Sequence, residues 1–134
     1  MFRNLDTQGL GVSGRQSEVI ELSLSFQFKS MTLDMHEFAS QVKTYGLPDA
    51  RRLIDNAKIR IGAFPSPMSL EGWDGDDAGY QKGLEELASV AELASAMGCT
   101  RCLTSVAPAC DLRPYHENFE FYRSRIAEIC AILE

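Results

Sequence analysis

Hydrophobic and polar residues along this chain switch repeatedly between the spacing of a strand and the spacing of a helix. Residues 58–64 alternate most clearly, with Ile59, Ile61 and Ala63 on one face. Each strand-like run is followed by a segment whose apolar residues lie three or four positions apart. The pattern therefore predicts an α/β protein with four βα units. The other three predicted strands cover residues 2–8, 31–33 and 100–105.

Capping and stop signals place helices between these strands. Asp34 and Glu37 have the spacing of a capping box at the start of the second helix, which is predicted to stop at Gly46. Pro48 suits the first turn of the third helix, where its missing N–H is not needed. Asn118 is predicted to cap the last helix. The second helix is predicted to carry Phe38, Ala39, Val42 and Tyr45, and the other predicted helices cover residues 16–26, 48–57, 77–97 and 119–133.

A helix-to-strand corner occurs twice, because residues 92–104 align by pattern with residues 21–33. Gly98 is predicted to end the long helix in the left-handed conformation, which glycine adopts without steric cost. Gln27 has the equivalent position in the first copy, where the corner is less favourable. This repeat favours a layered chain that is built from similar units.

The composition fits a single globular domain spanning residues 1–134 and disfavours two classes of partner. The chain is 45% hydrophobic and carries a net charge of −6. This charge argues against binding to nucleic acid or to an anionic membrane. There is no run of apolar residues that would span a membrane and no apolar segment of a signal peptide. We therefore expect a cytoplasmic protein whose four cysteines are reduced.

One glycine motif has the spacing of a dinucleotide-binding fingerprint. Gly9, Gly11 and Gly14 match it, and Asp34 follows at about the distance of the ribose-binding acid. Such a site needs an apolar strand that leads into the first glycine, and residues 3–8 are mostly polar. A glycine-rich turn is the better interpretation.

Two pairs of residues in or next to the predicted strands are of types that can carry chemistry. Cys99 and Cys102 form a CxxC motif, but no second pair completes a zinc site and no helix N-terminus follows to lower a thiol pKa. We interpret them as core thiols inside the fourth strand. Arg60 and Arg101 share a phase in their strands, and if both point inward they need carboxylate or phosphate partners.

Polar and aromatic side chains follow three of the strands, on the side where α/β enzymes hold their active sites. The two histidines, His36 and His116, are predicted to lie in loops after strands two and four. Trp73 lies in the predicted loop after strand three, where an indole either forms a wall for a sugar ring or packs on the rim. Asp34 and Asn118 are either substrate-binding groups or helix caps. No residue is assigned as catalytic or as a metal ligand.

Four segments of the chain carry a family resemblance: residues 9–13 (GLGVS), 50–55 (ARRLID), 98–102 (GCTRC) and 114–121 (PYHENFEF). Together they resemble the sugar phosphate isomerase/epimerase family, whose members are xylose isomerase-like TIM barrels. The resemblance covers nearly the whole chain, in the order of the family. It implies that four βα units form the N-terminal half of a (β/α)8 barrel of eight units.

The resemblance also implies a function. A divalent metal such as Mn²⁺, Mg²⁺ or Zn²⁺ would activate a sugar or sugar phosphate for proton transfer, with its ligands on later strands that have no counterpart here. We expect this chain to be a truncated N-terminal part, inactive alone, that supplies a substrate wall from His36, Trp73, His116, Asp34 and Asn118. Its open sheet would be covered by the missing C-terminal half or by a second copy. The alternatives are a small nucleotide-binding module, Rossmann-like or flavodoxin-like, and a dimerising half barrel without catalysis.

Overall fold

Strands and helices alternate along the computed structural model, which describes residues 3–68, 70, 77–106 and 114–134. The described elements are β1 (Asn4–Leu5), α1 (Gln16–Ser25), β2 (Ser30–Thr32), α2 (Met35–Tyr45), α3 (Leu47–Ala57), β3 (Arg60–Pro65), α4 (Asp77–Ala96), β4 (Cys102–Leu103) and α5 (Tyr115–Leu133).

The four strands form a parallel sheet in the order β1-β2-β3-β4. Leu5 pairs with Met31, Met31 with Ile61, and Phe64 with Cys102. Each strand is parallel to the next strand in the chain, lies beside it and is connected to it through a helix. This is the arrangement of half a (β/α)8 barrel, as predicted. The same order contradicts the doubly wound alternative, because that fold places β1 inside the sheet and here β1 lies at its edge.

The described residues fall into two compact units. The first contains the residues up to Pro65 together with Leu93–Leu103, and so holds the whole sheet with α1, α2 and α3. The second contains the described residues of Ser66–Glu92 and of Thr104–Glu134, and so holds most of α4 and all of α5.

The core of the first unit lies between the sheet and its helices. Helix α1 contacts β2 and α3, and α2 contacts α3. Removal of these apolar side chains from water is the main favourable contribution to folding of this unit. The buried side chains include Leu5, Met31, Phe38, Ile54, Ile59, Ile61 and Ala63.

The second unit contains buried side chains on both α4 and α5. Tyr80, Leu87, Tyr122 and Ile129 are buried. The hydroxyl of Tyr80 on α4 lies 3.0 Å from the backbone carbonyl of Arg125 on α5, so a polar contact joins the two helices.

The predicted helix boundaries are mostly confirmed. Asp34 caps α2, and its Oδ1 accepts hydrogen bonds from the backbone N–H groups of His36 and Glu37 at 2.9 and 3.0 Å. Gly46 separates α2 from α3 with φ 82°. The corner at Gly98 is left-handed, with φ 71°, and Gln27 takes the same conformation, with φ 60°. The pattern repeat therefore located a backbone feature at a residue that rarely adopts it.

Other predicted boundaries are wrong. Strands β1 and β4 contain only two residues each, because their flanking residues do not join the ladder. Helix α5 begins at Tyr115, so Asn118 lies inside it and does not cap it. Pro114 precedes the first turn instead; its ring fixes φ near the helical value and it has no N–H that needs a partner.

Within the described residues, no helix is both long and apolar enough to cross a membrane.

Candidate functional site

A cavity of about 150 Å³ opens at the carboxyl ends of β1 and β2, within the first unit. We call it the Gln16 cavity. This end of the strands is where α/β barrels bind their ligands. Its polar lining includes Thr7, Gln16, Thr32, Asp34 and Glu37. Its apolar lining consists of Val12, Val19, Met31 and Leu33.

Gln16 is the most unusual member of this lining. It is the first residue of α1 and is only 7% exposed. Its backbone N–H donates to Glu37 Oε1 at 3.5 Å. Its side-chain Oε1 and Nε2 have no hydrogen-bond partner among the described residues. A buried amide in this state costs free energy, because water satisfied both atoms before folding.

A polar network lies on the sheet next to this cavity. Asn4 donates from Nδ2 to Thr32 Oγ1 at 3.0 Å, and Ser30 Oγ donates to Asn4 Oδ1 at 2.8 Å. Gly62 on β3 leaves room for the Asn4 side chain, which a β-carbon at that position would overlap. Polar side chains therefore join β1 to β2, and Gly62 on β3 provides the space for them.

The structure places Asp34 and His36 together at the end of β2. Both side chains are exposed. His36 lies in the first turn of α2, which corrects the prediction that it lies in a loop. The capping bonds of Asp34 occupy its Oδ1, and the residue also lines the Gln16 cavity. The capping role is confirmed, and a role in substrate binding stays a prediction.

His116 and Asn118 lie in the second unit, at the start of α5. His116 is also in the first turn of its helix and not in a loop, and its imidazole is 3.9 Å from Glu117. Asn118 is 7% exposed, and its Oδ1 has no hydrogen-bond partner in the described part of the chain. It lines an open groove of about 390 Å³ together with Tyr115 and Phe119. Asn118 is therefore a buried amide beside exposed aromatic rings, and its predicted role in substrate binding stays a prediction.

Trp73 lies outside the described residues, so its predicted place in the substrate wall stays a prediction.

The CxxC cysteines are free thiols with little tendency to ionise. Cys99 is buried and precedes β4, which corrects the prediction that both cysteines lie inside the strand. Burial raises the pKa of Cys99, and burial together with the neighbouring Cys99 raises the pKa of Cys102 to about 11. A redox cysteine needs the opposite shift, so the interpretation as structural thiols is supported.

Arg60 and Arg101 are exposed at the amino ends of β3 and β4. They line a cavity of about 520 Å³ with Asp55. Because water reaches both guanidinium groups, neither imposes the penalty of a buried charge.

No group of three or more His, Cys, Asp and Glu side chains within the described ranges could hold a metal ion. The residues described in this chain therefore do not fit a metal centre.

Sequence reasoning missed Gln16 and Asn4. The polar residues around Asn4 are typical of a poor strand, although Asn4 is the centre of a network. Gln16 has the position of a residue in the first turn of a helix. The residues next to Asn4 and Gln16 in the sequence do not indicate the network of Asn4 or the burial of Gln16. Both depend on how β1, β2 and α1 pack together.

No family model and no curated protein matches this sequence. Solved structures do match its fold. A xylose isomerase domain protein from Alicyclobacillus acidocaldarius superposes with a TM-score of 0.80 at 14% identity, over 99% of this chain and 46% of that one. An IOLI protein with a bound zinc atom gives a TM-score of 0.75 at 14% identity, over 100% and 48% of the two chains. A sugar phosphate isomerase/epimerase from Parabacteroides distasonis gives 0.58 at 12% identity, over 98% and 50%.

This chain therefore spans about half the length of the solved structures that it matches. The similarity confirms the predicted resemblance of fold to xylose isomerase-like barrels. The same fold is also similar to a probable 3-DHS dehydratase from Bacillus anthracis, with a TM-score of 0.67 at 14% identity over 99% and 48% of the chains. At these identities the likeness shows the fold and does not choose among reactions.

Proposed function

We propose that residues 1–134 are the N-terminal half of a barrel domain that isomerises or epimerises a sugar. The observation that carries this proposal is the superposition of 99% of the chain on 46% of a xylose isomerase domain protein, with a TM-score of 0.80. The sequence resemblance, which arises from separate segments in the same order, supports the same conclusion.

In this proposal the chain supplies the substrate-side wall. Asp34 and His36 stand at the end of β2, beside the Gln16 cavity. His116 and Asn118 stand at the start of α5, and Trp73 is proposed as a further member of the wall. Their role is to bind and orient a sugar and to exclude water from it, which makes the reaction of a held substrate effectively unimolecular.

We assign no proton transfer to this chain. The described residues hold no metal-binding group, whereas one structure of the same fold is described with bound zinc. We propose that the metal and the acid–base carboxylate of the complete enzyme come from the other half of the barrel. The 134-residue chain alone is then inactive.

The first test is to determine the nucleotide sequence that follows the codon for Glu134. The proposal expects an open frame that encodes a fifth strand with a Glu near its end, and later Asp, His and Glu near strand ends. A stop codon at that position would overturn the proposal.

The second test is to assay both proteins with Mn²⁺ or Mg²⁺ on a panel of aldoses and ketoses and their phosphates. The longer protein is expected to interconvert at least one pair, and the 134-residue chain none. Turnover by the 134-residue chain at an enzyme-like rate would contradict the proposal that the metal and the acid–base carboxylate come from the other half of the barrel. Dehydration in place of isomerisation by the longer protein would favour the dehydratase reaction instead.

A further inference from the structure

The Gln16 cavity contains a buried amide that the described part of the protein does not satisfy. The residue is 7% exposed, and both polar atoms of its side chain are without partners among the described residues. Most buried amides in folded proteins have at least one partner. A ligand that enters the cavity and bonds to the amide would recover the free energy lost on burial.

The two carboxylates that line the cavity with Gln16 accept hydrogen bonds from groups other than its side-chain amide. Glu37 Oε1 accepts from the backbone N–H of Gln16 and also from Gln41 Nε2, at 3.1 Å. Asp34 Oδ1 accepts from the first amides of α2. Glu18 accepts from the backbone N–H of Arg15 at 2.7 Å, just before α1. These carboxylates occupy donors that an anion would otherwise find at the two helix N-termini.

The electrostatics of the cavity disfavour a phosphate. Its lining includes the carboxylates of Asp34 and Glu37, and none of its described lining residues is Lys, Arg or His. A phosphate placed there would meet like charge without a cation to balance it. A neutral group with both donor and acceptor capacity fits better, because the amide offers one NH₂ and one carbonyl oxygen.

The size of the cavity sets the scale of the ligand. Its volume is about 150 Å³. A protein cavity of about this volume holds a six-carbon ring molecule, so about six non-hydrogen atoms fit here. The apolar side chains of Val19, Met31 and Leu33 can contact the carbon atoms of the ligand while the amide contacts its hydroxyl groups.

We propose that the Gln16 cavity binds the uncharged, hydroxylated end of a polyol or open-chain sugar, and that Gln16 selects this end against a phosphorylated one. The identification of that molecule as part of the substrate rests on the proposed function. The binding itself does not, because all lining residues lie in the first unit of this chain.

The test is a titration of the ¹⁵N-labelled 134-residue protein with glycerol and erythritol, followed by nuclear magnetic resonance. Parallel titrations use glycerol 3-phosphate and an ionic-strength control. The side-chain amide signals of Gln16 report directly on binding in the unmodified chain. The neutral polyols are expected to shift these signals with a Kd of about millimolar order. The phosphate ester is expected to bind at least about tenfold more weakly.

Variants then separate binding from folding. Gln16→Met keeps the length of the side chain and removes both hydrogen-bonding groups. It is expected to weaken polyol binding about tenfold or more without lowering the melting temperature, because the variant buries no unpaired amide. Gln81→Leu changes an exposed glutamine on α4 and is the matched control, with unchanged polyol affinity. If Gln16→Met does not fold, Gln16→Glu is measured in its place, and its added charge is expected to abolish polyol binding.

Three results would overturn the proposal: no shift of the Gln16 amide by either polyol, equal affinity of Gln16→Met or Gln16→Glu, or equal binding of the phosphate ester. Failure of the proposed function has a different signature. A longer protein that converts no sugar would leave the polyol titration of this chain unchanged.

Discussion

Gly62 occupies a position where a side chain of any size meets the neighbouring strands. It lies opposite a register shift between Met31 and Thr32 of β2. An ideal β-carbon at residue 62 would overlap Asn4 Oδ1 and would lie 3.0 Å from Ser30 Oγ. Glycine is common at such irregular strand positions because, without a β-carbon, it lets side chains of neighbouring strands lie close to its backbone.

Gly62→Ala is expected to lower the free energy of unfolding by about 1–3 kcal/mol. The added methyl group displaces Asn4 and breaks its bonds to Ser30 and Thr32, which leaves buried polar groups without partners. Urea unfolding at neutral pH measures the loss.

A double-mutant cycle with Asn4→Ala is the control for this prediction. Truncation of Asn4 removes the group that the new methyl would strike, so the added cost of Gly62→Ala is expected to be much smaller in that background. An equal cost in both backgrounds would show that the overlap with Asn4 is not the cause.

At the scale of elements, the contact between α4 and α5 is a polar and aromatic cluster. The Tyr80 hydroxyl lies 3.0 Å from the carbonyl oxygen of Arg125 and 3.1 Å from Glu128 Oε2, and its proton can be donated to either. The guanidinium of Arg125 stacks over the rings of Tyr80 and Phe121, at 4.2 and 4.3 Å from their centroids. Burial, followed by the hydrogen bond to Glu128, raises the pKa of Tyr80 to about 12.

This shift predicts a loss of stability at high pH. Below pH 10 both the folded and the unfolded chain keep the tyrosine proton, so the contribution of Tyr80 is fully present. Between pH 10 and about 12 the unfolded chain loses this proton first, and the free energy of unfolding falls as pH rises. Urea unfolding at several pH values across this range measures the slope.

Tyr80→Phe is expected to remove the part of the slope that arises from this residue. Below pH 10 the free energy of unfolding of this variant is expected to be lower by about 1 kcal/mol, because the hydrogen bonds of the hydroxyl are lost. Tyr45→Phe, at a tyrosine that is 68% exposed on α2, is the control and should leave the slope unchanged. Identical slopes for the unmodified protein and Tyr80→Phe would contradict the assignment.

At the scale of the whole molecule, the parallel sheet formed by the described strands ends at β1 on one side and at β4 on the other. A complete barrel closes on itself and has no edges. In the described residues of this chain, each outer strand pairs with one neighbour, and the unpaired N–H and C=O groups of an edge can pair with another chain.

We therefore predict that the 134-residue protein associates as its concentration rises, which sedimentation velocity measures. Leu103→Lys places a charge on β4, where Leu103 is 43% exposed, and is expected to weaken association. Leu53→Lys changes a leucine that is 50% exposed on α3 and should have little effect. A protein that stays monomeric at every concentration would contradict the prediction.

The order and type of the elements could be predicted from the amino-acid sequence, because these depend on local periodicity, capping and turn residues. The alternation at Ile59, Ile61 and Ala63, the cap at Asp34 and the corners at Gln27 and Gly98 were all readable from neighbours along the chain. The order of these signals, together with the family resemblance, also led to the half barrel.

The contacts between distant segments could be seen only in the folded structure. It placed the amide of Gln16 beside residues of β2, joined Asn4 to Ser30 and Thr32, and buried Asn118 inside α5. The physical reason is that burial and hydrogen-bond partners of a polar side chain are set by packing between elements. The sequence alone does not distinguish a polar residue that is solvated from one that caps a helix or one that lines a cavity.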